Sequence, residues 1–384
     1  MKLLYFVPME IKEFDGISKK ILYQVAALKK LGVEVEICCE KIEYNKIFRK
    51  IFNTNITLEK SVGNIMTKQL LYYKYEKTLK YIFENNFEIV YIRYVYMANP
   101  CFIKFLKKIK EKNIKVILEV PTYPYDKELV HKDIIRQIKY FIERKYRDKM
   151  CNYVDKIITF SDDDEIFGIK TIKISNGIDP NEIPIIDKNV KKSINEINFI
   201  GVAGIAFWHG FDRFILSMVE YYKNNPKEII KFHIVGDGDK EVVNNLKKLV
   251  KENKLEDYVT FYGYKSGKKL DDIYNDSDIA IGSLGFFRTG DIMGSTLKVR
   301  EYCARGIPFI IGYKDISLNK ELKFYYEVSN DETLLDLNKI LEWYENLNVK
   351  SEEIRKFAIE NLSWDKQIKI ILENIWNILY RKGV

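Results

Sequence analysis

Gly294-Ser295-Thr296-Leu297-Lys298-Val299-Arg300-Glu301-Tyr302-Cys303-Ala304-Arg305-Gly306 is the stretch from which the rest of this 384-residue sequence is best read. Its small and hydroxyl-bearing residues precede a run with helical periodicity and follow a strand-like stretch that ends near Leu284. That order puts a helix N-terminus at the carboxyl edge of a sheet, where unpaired backbone N–H groups and the helix field favour an anion. Lys298 and Glu301 stand three residues apart on one helix face, so an ammonium and a carboxylate can look into the same cleft. An ordinary surface salt bridge on an α/β helix is the alternative.

Working outward, the second half alternates strand and helix. Strands are expected at 197–202, 231–235, 258–262, 278–283 and 307–311, with helices at 211–223, 240–252, 268–275 and 295–305 between them. The first half reads the same way. Strands are expected at 3–7, 33–38, 89–92, 115–120, 156–160 and 171–174, and helices at 17–31, 68–85, 100–111 and 134–151. Residues 41–66 are polar and mixed, without a clear period. Residues 178–195 hold Asp179-Pro180, Pro184 and a lysine-rich run, which read as a linker. The chain exceeds the ~250–300 residues at which single cores stop growing. Two doubly wound α/β domains are therefore expected, 1–177 and 196–365, joined by 178–195 and facing a central cleft. Residues 366–384 would form a last helix returning to the first domain, with Trp343, Trp364 and Trp376 as packing anchors.

Composition narrows the function classes. Hydrophobic residues make up 47% and charged residues 31%, a globular balance with no disordered bias. The start, MKLLYFVPME, is too soon interrupted for a signal peptide, and no run approaches the ~18 apolar residues of a membrane span, so a cytoplasmic protein is expected. Cys38, Cys39, Cys101, Cys151 and Cys303 show no metal-ligand spacing. The formal charge of +8 fits anionic small molecules or an anionic membrane surface. Nucleic acid is not expected as a partner, because no arginine-rich arm, RNA-binding strand motif or zinc-finger spacing accompanies the charge. The first strand-to-helix turn carries only Gly16, which argues against a dinucleotide cofactor.

The chemistry-bearing residues cluster in turns that follow expected strands. Gly204 and Gly210 allow close backbone approach, while His209 and Arg213 present donors to a diphosphate. Gly236 and Gly238 shape a turn that can floor a nucleotide pocket, and Tyr264 follows another strand near the place of a nucleobase. Arg288 lies in a glycine-flanked loop just before the anion-binding helix, and its planar fork matches phosphate oxygens. Ser295, Thr296, Leu297 and Lys298 converge with it at one loop-helix junction. Glu301 would repel phosphate and suits instead the two hydroxyls of a ribose. Phosphate donors beside a diol acceptor describe a nucleoside diphosphate.

Taken in order, FIGVAGIAFWHGFDR, HIVGDG, VTFYG, LDDIYNDSDIAIGSL and STLKVREYCARGIPFI resemble a GT-B glycosyltransferase of the large retaining family four, which includes many bacterial capsule and lipopolysaccharide enzymes. Gly16-Ile17-Ser18-Lys19-Lys20 is similar to that family's glycine-bearing loop, and Ser175-Asn176-Gly177-Ile178-Asp179 to its domain junction. Two departures stand out. Glu301 matches the second of the family's two spaced glutamates, but Met293 occupies the place of the first, with Asp291 nearby. Val202 or Ala203 and His209 stand near the family's usual arginine and lysine, and Arg288 can supply the missing cation.

The resemblance implies transfer of a sugar from a nucleoside diphosphate sugar, with retention, to a glycan or lipid-linked saccharide, without a metal or other cofactor. His209, Arg288, Lys298 and Glu119 are the expected catalytic residues. Gly16, Gly204, Arg213, Gly236, Gly238, Tyr264, Ser295, Thr296, Leu297, Lys298 and Glu301 would bind the donor, and Arg93, Thr122 and Asp126 would face the acceptor. Arg93 can equally pair with a carboxylate of the first half. Lysines and tyrosines between 46 and 82, including Lys77, Lys80, Tyr72, Tyr73 and Tyr75, offer a face for an anionic bilayer at the cytoplasmic side. A noncatalytic glycan-binding scaffold and a glycogen-synthase-like polymerase are the competing readings.

Overall fold

The computed structural model describes all residues except 13–14, 62–70, 72, 126–133, 188–194, 291–292 and 381–384. The chain forms two compact units, Met1–Ile174 with Trp364–Val384, and Ser175–Ser363.

The first unit contains β1 (Lys2–Glu10), α1 (Gly16–Lys30), β2 (Glu34–Glu43), β3 (Lys46–Ile51), β4 (Thr57–Lys60), α2 (Glu76–Glu84), β5 (Ile89–Arg93), α3 (Pro100–Glu111), β6 (Lys115–Val120), α4 (Ile134–Cys151), β7 (Lys156–Thr159), β8 (Glu165–Ile166) and β9 (Ile169–Lys173). Its nine strands run in the order β4-β3-β2-β1-β5-β6-β7-β9-β8. The β2-β1-β5-β6-β7-β9 part is parallel. Helices on both faces bury these strands, so Leu3 to Val7 and Ile89 to Arg93 are buried without alternation. Asp15 caps α1 by accepting the Ser18 N–H at 2.8 Å, and Gly32 in the left-handed region, φ 83°, follows its end.

Of the stretch 41–66, which looked aperiodic, the described residues 41–61 are largely strand, and the remainder lies outside the described residues. β2 continues to Glu43 and turns back through Tyr44 and Asn45, both at positive φ, into antiparallel β3 and β4. The alternation was disguised because one inward position of β3 is Arg49. Its guanidinium is buried between the rings of Phe6 and Tyr75, at 4.9 and 4.8 Å, and donates to the carbonyls of Lys74 and Leu71. Helix α2 begins at Glu76, and part of the longer helix expected at 68–85 falls outside the described residues.

The second unit contains β10 (Glu196–Val202), α5 (Phe211–Tyr222), β11 (Ile229–Val235), α6 (Lys240–Glu252), β12 (Val259–Gly263), α7 (Lys268–Asn275), β13 (Ile279–Ile281), α8 (Leu297–Arg305), β14 (Phe309–Ile311), β15 (Tyr325–Glu327), α9 (Leu337–Glu345) and α10 (Ser351–Phe357). All its strands are parallel, in the order β12-β11-β10-β13-β14-β15. Connections reverse direction at β10 and β13, which is where an open α/β sheet accepts ligands.

The last helix, α11 (Trp364–Tyr380), belongs to the first unit. Trp364, Ile368, Ile371, Leu372 and Ile375 recur at helical spacing and join a core with Ile21, Val25 and Leu28 of α1. Trp364 is buried there, and Trp343 donates its indole N–H to the Lys323 carbonyl at 3.0 Å. Trp376 is no packing anchor: it is 47% exposed because it falls on the outer face of α11. Truncating Trp364 to Ala removes a core side chain worth about 3–5 kcal/mol. Urea unfolding followed in each unit is expected to move the first unit's transition to lower denaturant and to leave that of Ser175–Ser363 in place.

Candidate functional site

The second unit's switch point is held closed by backbone contact. Gly210 adopts the left-handed conformation, φ 65°, and a Cβ there would lie 2.5 Å from the Gly285 nitrogen. The Leu284 N–H donates to the His209 carbonyl at 2.9 Å. The loops leaving β10 and β13 are thereby fixed against each other. The β11 loop is equally close: a Cβ at Gly236 or Gly238 would fall 1.9 Å from the Ala203 carbonyl oxygen or 2.1 Å from that of Ile205. These two glycines are required by loop-on-loop approach, whether or not a ligand lies above them. Gly204 is more open, with its nearest neighbour at 3.9 Å.

His209 and Lys298 come together on Phe211. The imidazole stacks on the Phe211 ring at 5.7 Å between centroids, and the Lys298 Nζ lies 5.7 Å from the same ring. His209 Nδ1 accepts the Ala206 N–H at 3.0 Å, which leaves the proton of a neutral ring on Nε2. Burial, reinforced by the Lys298 charge, pushes its pKa down to about 2. His209 is thus a neutral N–H donor. Lys298 is half-buried as a residue, but its Nζ is sealed from solvent and has no hydrogen-bond partner among the described residues. Burial lowers its pKa to about 7. An ammonium in that position is not a surface salt bridge, and burying it without a partner costs stability.

The first turn of α8 carries Lys298 and is anchored from outside. Ser295 Oγ accepts the Asn176 N–H at 2.8 Å, and the Asn176 carbonyl accepts Arg300 Nε at 3.1 Å. Arg300 is fully buried in a fork with Asp315 and also donates to Ser317 Oγ at 2.8 Å. Thr296 shares a 2.6 Å hydrogen bond with the Tyr313 hydroxyl and does not cap the helix through its side chain, while Leu297 is exposed. Glu301 pairs with Arg305 at 2.9 Å rather than with Lys298. Arg305 also binds Asp271 at 2.8 Å and lies 4.0 Å over the Tyr274 ring. Sequence reasoning passed over Asn176, Arg300 and Asp315. Arg300 shares a helical stripe with Cys303 and Ala304, a spacing that signals a buried, partnered charge.

The other expected residues are placed differently. Arg288 is gripped by Asp212, with two bonds of 2.9 Å, and by Glu332 at 2.8 and 2.6 Å. Its bond to Glu332 foremost, and that to Asp212, hold its pKa above the ordinary value. Two carboxylates overcompensate the one cation there, so this fork is not left open for phosphate. Arg213 is buried and donates to the carbonyls of Leu284, Ser329 and Thr333, which makes it a tie for the 329–333 loop. Tyr264 follows Gly263 and is 73% exposed. In the first unit, Gly16 opens α1 with no heavy atom of the described residues within 4 Å of its Cβ position, and Thr122 is exposed in the loop after β6. Glu119 is fully buried and ion-paired to Arg93. Asp126 and Asp291 lie outside the described residues. Tyr75 of the proposed bilayer face is a core residue, whereas Tyr73, Lys77 and Lys80 are exposed. Among the described residues, no helix is long and apolar enough to cross a membrane, and no three His, Cys, Asp or Glu residues converge as metal ligands.

Comparison with known proteins agrees with this layout. Residues 195–321 match the family described as glycosyl transferases group 1, and no curated protein matches the chain. A glycosyltransferase from Rickettsia africae superimposes with a TM-score of 0.64 at 17% identity over 99% of both chains. Sucrose-phosphate synthase from Thermosynechococcus elongatus does so with 0.65 at 15% identity over 100% of both. Anabaena HepE in complex with UDP gives 0.60 at 13% identity, covering 98% of this chain and 99% of its own. The chain has the GT-B fold. Within it, the group 1 region spans β10 to the turn after β14, and so includes His209, Lys298 and Glu301.

Linkage gives the site a pH signature. A lysine whose pKa falls from 10.5 to about 7 on folding binds a proton more tightly in the unfolded chain. Its contribution to stability therefore rises with pH between about 7 and 10.5. Lys298→Met removes that contribution, so the melting temperature of the variant relative to the parent is expected to be highest at pH 7 and to shrink towards pH 10. A constant offset across that range would contradict an unpartnered buried ammonium.

Proposed function

We propose that the chain is a retaining glycosyltransferase that moves one sugar from a nucleoside diphosphate sugar to a glycan or lipid-linked saccharide in bacterial surface-polysaccharide synthesis. The sealed Lys298 ammonium at the N-terminus of α8, without a hydrogen-bond partner among the described residues, carries this reading, and the group 1 match over 195–321 supports it. In it, Lys298, the N–H groups of the first turn of α8 and the His209 Nε2 proton stabilise the diphosphate as it departs. Glu301, held by Arg305, accepts from the ribose hydroxyls.

The bond from the sugar C1 to the diphosphate oxygen breaks while an acceptor hydroxyl oxygen bonds to C1 on the same face. The hydroxyl proton passes to the departing phosphate oxygen, so no protein nucleophile is used. Glu119 does not act as a base in this scheme. Burial would raise its pKa, but Arg93, Lys20 and the bonds from Tyr91 and Gln24 hold it below the ordinary value. His209, neutral down to about pH 2, donates a hydrogen bond rather than a proton.

Peripheral contact with an anionic membrane surface is part of the proposal, and α4 supports it better than 46–82. Ile138 and Phe141, 58% and 70% exposed, share the outer face of α4 with exposed Arg144, Lys145 and Lys149.

UDP, the ligand of the Anabaena protein, is the first donor product to test. UDP is expected to raise the melting temperature, and Lys298→Met to weaken its binding about 10- to 100-fold, the range of a charge-assisted hydrogen bond. Glu301→Ala should weaken it less. A donor panel read by nucleoside diphosphate release, with the anomeric proton of the product followed by NMR, tests the reaction. If no nucleoside diphosphate binds, or if the product is inverted, the reading fails.

A further inference from the structure

The carboxyl edge of the first unit's sheet holds a second unbalanced charge. Tyr5 faces Tyr91 across β1 and β5, and Arg93 faces Glu119 across β5 and β6, so the register places all four on one side of the sheet. Helix α1 covers that side with Lys20 and Gln24, one turn apart. Glu119 is saturated. It accepts from Tyr91 at 2.7 Å, Gln24 at 2.9 Å, Tyr5 at 3.3 Å and from Arg93. That carboxylate pairs directly with Arg93, whereas Lys20 feels it only through space and has no hydrogen bond or ion pair of its own among the described residues.

Lys20 is only 8% exposed. Its Nζ lies 3.4 Å from the centre of the Phe160 ring and 5.7 Å from that of Trp364, and it makes no hydrogen bond or ion pair among the described residues. Aromatic faces replace only part of an ammonium's hydration. Burial accordingly lowers its pKa to about 7, opposed by the Glu119 charge and aided by that of Arg93. Two cations and one carboxylate leave a surplus positive charge where strands β1, β5, β6 and β7 end, the edge at which parallel sheets meet their ligands. A buried cation without a partner is retained at a cost in stability unless a ligand completes it.

We propose that Lys20, with Arg93 beside it, seats an oxyanion of the acceptor, so that the acceptor is a phosphorylated or carboxylated saccharide rather than a neutral one. This rests on reading the first unit as the acceptor's. Glu119 then positions Arg93, and Phe160 and Trp364 shield the pair from water.

The test uses the full chain carrying Lys298→Met, which removes the donor-side ammonium. Sodium phosphate and sodium acetate, as the phosphoryl and carboxylate probes, are titrated against sodium chloride at matched ionic strength, with thermal stability as the readout. At least one of the two is expected to stabilise this chain, and adding Lys20→Met should weaken that binding by 10-fold or more. Which anion binds tells the phosphorylated acceptor from the carboxylated one. Equal stabilisation with and without Lys20, or none by either anion, overturns the proposal. Without ligand, Lys20→Met should fold and melt higher than its parent, because an apolar chain of similar length replaces an unpaired charge. A lower melting point also overturns the proposal, since the ammonium would then have a partner within the chain. UDP protection of the Lys20→Met single variant separates the readings: if it persists while the anion result fails, the donor assignment stands and the acceptor assignment falls.

Discussion

The contact of Gly210 with Leu284 and Gly285 sets the geometry on which the second unit's site depends. β10 and β13 are neighbours in the sheet, and the chains leaving them diverge to helices on its two sides. They stay in contact only because position 210 has no Cβ and a left-handed backbone. With His209 bonded through its carbonyl to Leu284, the imidazole is turned onto Phe211, and the same ring lies under the Lys298 ammonium. A single close approach of two backbones thus orients a neutral donor and a buried cation together.

Which cations can meet a ligand is decided by partners rather than by position. Arg49, Arg213 and Arg300 are buried but saturated by carbonyls or by Asp315, and they act as ties. Arg288 sits in a glycine-flanked loop beside the site, yet Asp212 and Glu332 take up its fork. Lys298 and Lys20 are the contrasting cases. Each is a desolvated ammonium lying against an aromatic ring, without a hydrogen bond or ion pair among the described residues. The fold tolerates a charge imbalance near the carboxyl edge of each sheet.

Much of the architecture was legible because it is written in short-range patterns. Continuous apolar runs such as Leu3 to Val7 marked buried parallel strands, and Ile21, Val25 and Leu28 marked a helix face. The β3 strand was not legible because an inward arginine broke its alternation, and that arginine is explained only by Phe6, Tyr75 and two carbonyls elsewhere in the chain. In the site, the glycines of the strand-to-helix turns could be seen in the sequence. Their reason could not: Gly236 and Gly238 answer to Ala203 and Ile205.

By itself the sequence determined the alternation of strands and helices, the two α/β sheets and the turns in which polar and glycine residues gather, because periodicity and turn chemistry act between residues a few positions apart. Only the tertiary structure decided that Arg288 is neutralised, that Arg213 and Arg300 are internal ties, that Glu119 is locked as a carboxylate, and that Lys298 and Lys20 have no hydrogen bond or ion pair among the described residues. Those outcomes depend on burial and on partners far along the chain, such as Glu332 for Arg288 or Asn176 for Arg300. The Coulomb and desolvation terms that fix a charge's availability exist only once the fold has excluded water around it.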